Sequence, residues 1–326
     1  MQVTIQCERW PVRGVFRIAR GCRTEINPVT VSLSEGEAVG RGECIPYQRY
    51  QETVAGVAEL LDALSPALQA GLSRTALQQR LPAGAARNAV DCALWDLQAK
   101  LQRQPVWQLA GLLPPQPVTT AYTLSIAEPD RMGRAAAAEA HRPVLKLKVA
   151  GDGQDLQRIE AVHHHAPQAE LIVDANESWS LEDYQHLAPA CAQLGVALIE
   201  QPFPAGQDAA LAELPHPLPV CADESCHDRS SLAFLSGRYE YINIKLDKTG
   251  GLTEALALRQ AAVDQGLGIM VGCMLGTSLA MAPAVLLAQG VRYVDLDGPL
   301  LLAEDRQPGL RIEASQIHPP EPTLWG

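Results

Sequence analysis

The sequence predicts an α/β protein, an α+β segment followed by a parallel β/α unit, and two observations carry the prediction. From residue 118 onward short apolar runs alternate with helix-patterned stretches: VTTAYTL (118–124), VLKLKV (144–149), ELIVD (170–174), VALIE (196–200), PVCAD (219–223), EYINIK (240–245), GIMVG (268–272) and RYVD (292–295). Strands alternating with helices make a parallel sheet, and eight is the number that closes a barrel, although an open doubly wound sheet has the same periodicity. Upstream the pattern differs, with extended runs followed by two amphipathic helices.

In order along the chain, MQVTIQCERW and NPVTVSLSEGEAVGRGEC are strand-rich, and Glu35-Gly36 divides the second into a hairpin. Apolar residues then recur at three and four positions from Glu52 to Leu68 and from Ala85 to Leu101, which predicts two helices. LLPPQPV (112–118) is a proline-rich joint. The predicted division is therefore 1–113, joined by the tail 311–326 packing on it, and 114–310. No GxGxxG follows the early strands, so a dinucleotide fold has no support.

The chain has 326 residues and a formal net charge of -11. An acidic chain with no Lys/Arg cluster interleaved with aromatics predicts a small-molecule partner and no nucleic acid. The start lacks a basic stretch leading into a long apolar one, and no run reaches the ~18 apolar residues of a membrane span, which predicts a cytoplasmic protein with no membrane partner. A homo-oligomer is compatible with this composition. The eight cysteines form no CxxC pair and read as buried free thiols. The triplet His163–His165 reads as an exposed mid-helix face.

The chemistry sits at the strand ends: Thr123, Lys146 with Lys148, Asp174, Glu200, Asp223, Lys245, Cys273 and Asp295. In a β/α barrel those ends converge on one face, where active sites are built. Asp174, Glu200 and Asp223 come from consecutive strands, and three carboxylates side by side call for a cation; all-oxygen ligation favours Mg²⁺. Lys148 and Lys245 flank that arc and would face each other across the metal. A carbon acid beside a carboxylate loses its proton when the resulting dianion is stabilised by a divalent cation, and an ammonium serves as base once nearby positive charge, from Mg²⁺ or Lys146, lowers its pKa. Two lysines on opposite faces of a planar intermediate remove a proton from one side and return it to the other, which is racemisation or epimerisation.

These residues resemble the enolase superfamily, muconate lactonising enzyme subgroup, through KLK (146–148), DAN (174–176), EQP (200–202), ADES (222–225), NIKLDKTGG (243–251) and the capping-domain stretch GRGEC (40–44). Lysine bases with Mg²⁺ are a known solution of that superfamily. The resemblance implies a modified (β/α)7β TIM-like barrel with an N-terminal α+β capping domain. It also implies Asp174, Glu200 and Asp223 as Mg²⁺ ligands, Lys148 and Lys245 as the acid/base pair, and Lys146 polarising the substrate carboxylate. Glu224 is the rival to Asp223.

Asp295 and Asp297 in DLDGP share a face by the i, i+2 rule and suit an α-ammonium group. In this the chain is similar to the bacterial dipeptide epimerases of the superfamily, above all those acting on L-Ala-D/L-Glu in murein peptide recycling through an enediolate. Cys273 and Met274 match that pattern, whereas Gly276 stands where many relatives carry a glutamate. An acidic second residue calls for a lid cation, for which FRIARGCRTE (16–25) offers Arg17, Arg20 and Arg23, with Arg20 favoured. DKTGGLTEA (247–255) reads as a tight turn. The rival readings are o-succinylbenzoate synthase or muconate cycloisomerase chemistry, whose substrates have no ammonium for the aspartates, and a non-catalytic metal-stabilised protein binding acidic peptides.

Overall fold

The computed structural model describes all 326 residues. Five strands open the chain: β1 (Gln2–Cys7), β2 (Trp10–Ile18), β3 (Gly21–Ile26), β4 (Val29–Glu35) and β5 (Ala38–Cys44). They form an antiparallel sheet in the order β1-β4-β5 and a separate β2-β3 hairpin. Helices α1 (Val54–Gln69), α2 (Arg74–Arg80), α3 (Ala85–Gln102) and the one-turn α4 (Val106–Leu109) follow. In α1, Val57, Leu61, Leu64 and Leu68 make the buried stripe, and the Thr53 side chain accepts from Gly56 N to cap its start. The glycines of GRGEC allow α3 to lie directly on β5: a Cβ at Gly40 would stand 2.2 Å from Ala93 O, and one at Gly42 2.1 Å from Ala89 O.

The remainder carries β6 (Val118–Thr119), β7 (Tyr122–Leu124), α5 (Pro129–Ala138), β8 (Val144–Lys148), α6 (Asp155–His165), β9 (Glu170–Asp174), α7 (Leu181–Gln193), β10 (Leu198–Glu200), β11 (Val220–Ala222) and α8 (Leu232–Leu235). It continues with β12 (Tyr241–Ile244), α9 (Leu246–Thr249), α10 (Leu252–Asp264), β13 (Gly268–Gly272), α11 (Ser278–Leu287), β14 (Tyr293–Asp295), α12 (Gly298–Leu301), β15 (Ile312–Glu313) and β16 (Gln316–Ile317). Strands β7 to β14 form one parallel eight-stranded sheet in chain order. Ala121 N donates to Val294 O at 2.8 Å, so the first strand segment meets the last and the sheet curls into a barrel rather than staying open.

Five features differ from the sequence reading. The predicted first strand is two: β6 pairs with β16 in a small sheet at the N-terminal ends of the barrel strands, and only β7 joins the barrel. The tail is divided likewise, since β15 and β16 cover that end while its last residues reach the capping helix, with Trp325 Nε1 donating to Cys92 O and Gly326 N to Asp96. The crossover from β10 to β11 has no α-helix, only a turn at Ala209–Ala212, because prolines at 202, 204, 215, 217 and 219 remove the donors a helix needs. His163–His165 form the C-terminal turn of α6 rather than its middle, where the helix dipole favours positive charge. All eight cysteines are free; Cys7 and Cys22 are exposed, contrary to the expectation of burial.

Two links, one buried and one part-buried, fix the capping strands over the barrel. Asp247, just past β12, accepts from Ile45 N at 3.0 Å and Asn88 Nδ2 at 2.9 Å. Arg306 bridges Glu8 of the cap and Glu43 of β5 while its Nε donates to Thr277 Oγ1. No helix is long and apolar enough to cross a membrane.

Candidate active site

The alternation of β8 makes the site. Leu145 and Leu147 point outward into the helix-facing core, so Lys146 and Lys148 point into the barrel. Ile172, Leu198, Cys221, Met270 and Tyr293 form an apolar cluster of their own, contributed by β9, β10, β11, β13 and β14. Polar groups crowd the C-terminal strand ends: Lys148, Asp174, Glu200 and Asp295 are the last residues of β8, β9, β10 and β14, and Asp223 and Lys245 come one residue after β11 and β12. Strand register puts Lys148 beside Asp174 and Asp174 beside Glu200.

The carboxylates are each held by ammonium groups. Lys148 Nζ lies 2.5 Å from Asp174 Oδ2, and Lys245 Nζ 2.6 Å from Asp223 Oδ2. Lys146 sits among three carboxylates, 3.1 Å from Asp174, 2.7 Å from Glu200 and 2.7 Å from Asp295. It is fully buried and paired with these carboxylates below the residues that line the cavity, so any polarisation of a substrate carboxylate would act from beneath. Asp174, Glu200 and Asp223 adjoin one another as predicted, but their oxygens do not converge on one point. Each is turned toward the lysine that neutralises it.

The electrostatics follow from that pairing. Burial pushes Asp174 upward, but Lys148 and Lys146 outweigh it and hold its pKa below the usual carboxylate range. Burial and the Asp174 charge push Glu200 up to about 7. Burial depresses Lys245, yet Asp223 with Glu200 and Glu224 raises it on balance. Lys146 does push Lys245 in the lowering direction expected from the sequence, but the carboxylates around it outweigh that charge. The donors nevertheless suit a hard cation: three buried carboxylates on consecutive strands, with Glu200 Oε2 making no hydrogen bond despite its closeness to Lys146.

Several residues that the sequence reading passed over support this arc. Lys248, in the NIKLDKTGG motif but given no role from the sequence, is buried and donates to Asp223 Oδ1 at 2.6 Å and to Asn243 O at 2.9 Å. Asn243 donates to Glu200 Oε1 at 2.8 Å and needs a glycine on the next strand, since a Cβ at Gly272 would lie 2.6 Å from its Oδ1. Gln201 Oε1 accepts from Asp223 N and Ser225 N, tying the end of β10 to that of β11. The position of Gln201, next to a carboxylate strand end, was the one signal available for it. At Gly276 a side chain would approach Glu43 Oε1 at 3.4 Å, so a carboxylate does stand there, supplied by β5 and held by Thr277 and Arg306.

Above the arc lies a cavity of about 270 Å³, lined by Lys148, Lys245, Asp223 and Thr123, by Asp295, Asp297, Cys273 and Met274 on one side, and by Asn176, Glu224, Tyr47 and Tyr50 on the other. Thr123 N donates to Asp297 Oδ2 at 2.6 Å, bracing the aspartate pair; burial and the Asp295 charge push Asp297 up to about 7. The predicted lid is the β2-β3 hairpin, with Arg20 in its turn. Arg17 is not in the cavity wall, whereas Arg20 and Arg23 are. Arg20 is engaged with Glu224 at 2.6 Å and Glu177 at 3.0 Å. Arg23 stacks 5.0 Å above the Tyr47 ring and has no carboxylate partner.

Residues 1–111 match the family described as mandelate racemase / muconate lactonizing enzyme, N-terminal domain, and residues 131–322 that described as enolase C-terminal domain-like. The chain is 50% identical over 312 residues to the L-Ala-D/L-Glu epimerase of Escherichia coli (strain K12), covering 95% of this chain and 97% of that protein. It is 45% identical over 303 residues to the N-acetyl-D-glutamate racemase of a Pseudoalteromonas species, covering 91% and 95%. Among solved structures, an enolase family member from Agrobacterium tumefaciens with homology to dipeptide epimerases, holding sodium and L-Ala-L-Glu with an ordered loop, has a TM-score of 0.97 at 51% identity over 99% of both chains.

Proposed function

The chain belongs to the mandelate racemase/muconate lactonizing enzyme family of the enolase superfamily, and from that premise we propose that it is an isomerase interconverting L-Ala-D-Glu and L-Ala-L-Glu. The observation that carries this reading is a pair of lysines, Lys148 and Lys245, at the two ends of the Asp174–Glu200–Asp223 arc, with a second acidic pair, Asp295 and Asp297, in the same cavity. The domain limits, 1–113 for the cap and 114–310 for the barrel, belong to the proposal.

In this reading Asp174, Glu200 and Asp223 hold Mg²⁺, which when bound supplies positive charge against the substrate carboxylate. Asp295 and Asp297, braced by Thr123, take the α-ammonium group, which orients the dipeptide along the cavity. Its second α-carbon then lies between the lysines. One ammonium, having lost its proton to solvent, removes the α-proton; the other delivers a proton to the opposite face of the enediolate. Cys273 and Met274 pack against the substrate, and a lid arginine faces the acidic side chain. Arg23 suits that last role better than the favoured Arg20, because only Arg23 is free of carboxylate partners. A D-Glu beside L-Ala is a murein feature, which supports a role in recycling of cell-wall peptides.

The N-acetylglutamate racemase relative offers a second substrate class, one with no free ammonium. The acidic pair Asp295 and Asp297 disfavours it, as it disfavours o-succinylbenzoate synthesis and muconate cycloisomerisation. Incubating the protein in D₂O with Mg²⁺ and L-Ala-L-Glu, L-Ala-D-Glu or N-acetyl-Glu separates these readings. Deuterium should enter the glutamyl α-carbon of both dipeptides and appear in both epimers. Binding without exchange would instead establish a peptide-binding protein, and exchange confined to N-acetyl-Glu a racemase.

A further inference from the structure

The lid side of the cavity contains a carboxylate that the reaction does not use. Glu224 follows Asp223 but turns away from the lysines; its Oε1 lies 2.6 Å from Arg20 Nη2, and its Oε2 is buried with no hydrogen-bond partner. Arg20 is the one cation in salt-bridge contact with it. Glu177, the other partner of Arg20, is separately satisfied by two bonds from Arg49 and one from Ala205 N. With Glu177 and Arg49 cancelling, the charges on this side of the cavity are Arg20 and Arg23 against Glu224, a net single positive charge.

We propose that the Arg20–Glu224 pair determines specificity: Arg20 masks a carboxylate in the wall of the second-residue subsite, and the masking is what lets an acidic side chain be accepted there. This deepens the dipeptide reading and rests on it. Arg20 then acts through Glu224 rather than by touching substrate, and the two substitutions must act in opposite directions. Removing Arg20 leaves Arg23 against Glu224, a wall of zero net charge with an exposed carboxylate. Removing the Glu224 charge leaves two uncompensated arginines. Removing both restores the single positive charge.

The test compares L-Ala-L-Glu with its neutral isostere L-Ala-L-Gln and with L-Ala-L-Lys, following kcat/KM for epimerisation with Mg²⁺. Arg20→Gln should lower the Glu/Gln ratio about tenfold and raise the Lys/Gln ratio, the scale expected when a buried charge loses its partner. Glu224→Gln should raise the Glu/Gln ratio about threefold or more, and the double variant should return within about threefold of the parent. An equal loss on all three peptides in Arg20→Gln would reduce the pair to a latch holding the hairpin. A double variant as unselective as Arg20→Gln would make Arg20 a direct substrate contact. Both results overturn the proposal. Should Arg20→Gln fail to fold, an unchanged ratio in Glu224→Gln does so alone. If the parent turns over none of the peptides, it is the dipeptide reading that falls.

Discussion

The strand-end arc from β8 to β12 and the lid wall formed by the β2-β3 hairpin line the same cavity, yet they are built by different rules. In the arc, neighbouring groups are placed by strand register: Lys148 beside Asp174, Asp174 beside Glu200. In the wall, Arg20 meets Glu224 across 204 residues of chain and Tyr47 across 27, through contacts that no periodicity specifies. The arc is held by register, whereas the wall depends on long side chains reaching between segments far apart in the chain. The arc should therefore respond to substitution with loss of chemistry, and the wall with change of preference.

The largest effect expected of the arc is at its ends. Lys148→Ala and Lys245→Ala should each lower epimerisation about 10³-fold or more, while each variant still exchanges the α-proton of one epimer in D₂O. The two variants should retain opposite epimers. If both lose exchange of both epimers, the lysines do not serve opposite faces and the arc is not the reacting half of the cavity.

Next comes the centre of the arc. Glu200→Gln removes one of three buried carboxylates and should weaken Mg²⁺ binding by about 10²-fold, read by titration calorimetry without substrate. Unchanged affinity would move the cation elsewhere, with Glu224 the carboxylate to test.

A smaller effect belongs to the aspartate pair opposite the lid. With Asp297 raised to about 7 by burial and by Asp295, the group is neutral below that pH and anionic above it. Attraction for an ammonium group should strengthen as pH rises, so KM should fall about tenfold between roughly pH 6 and 8, and Asp297→Asn should flatten that slope. The sign for stability is the reverse. A folded carboxyl that keeps its proton when the unfolded one has released it makes the fold less stable as pH climbs from about 4 to 7, and Asp297→Asn should remove that decline in melting temperature.

The smallest expected change is in the wall. Arg23→Gln should lower the preference for L-Ala-L-Glu over L-Ala-L-Gln by roughly tenfold or less while leaving turnover of the glutamine peptide near its parent value. A comparable loss on both peptides would mean that the wall, like the arc, carries chemistry.

The contrast also explains what could be read from the chain. KLK, DAN, EQP, ADES and NIK are legible because a strand exposes alternate residues to one face, and a barrel brings strand ends together whatever lies between them. Lys248 and Asn243 lay inside the same motifs but were missed as supports, since a buried ammonium and an amide declare their partners only in three dimensions. At Lys146 the pattern gave the face but not the depth, since the side chain is fully buried among three carboxylates.

By itself the sequence determined the eight-strand α/β architecture, the α+β cap, the identity of the carboxylate and lysine positions and their order around the ring, because these depend on periodicity and on which residue ends each strand. The tertiary structure alone decided how the charges are shared: that Lys146 is paired with three carboxylates, that Lys245 is paired with Asp223, that Arg20 is engaged with Glu224 and Glu177, and that Arg23 has no carboxylate partner. Charge sharing is a matter of a few ångströms between segments far apart in the chain, and Coulomb energy at that range depends on distance and burial, neither of which a linear pattern encodes.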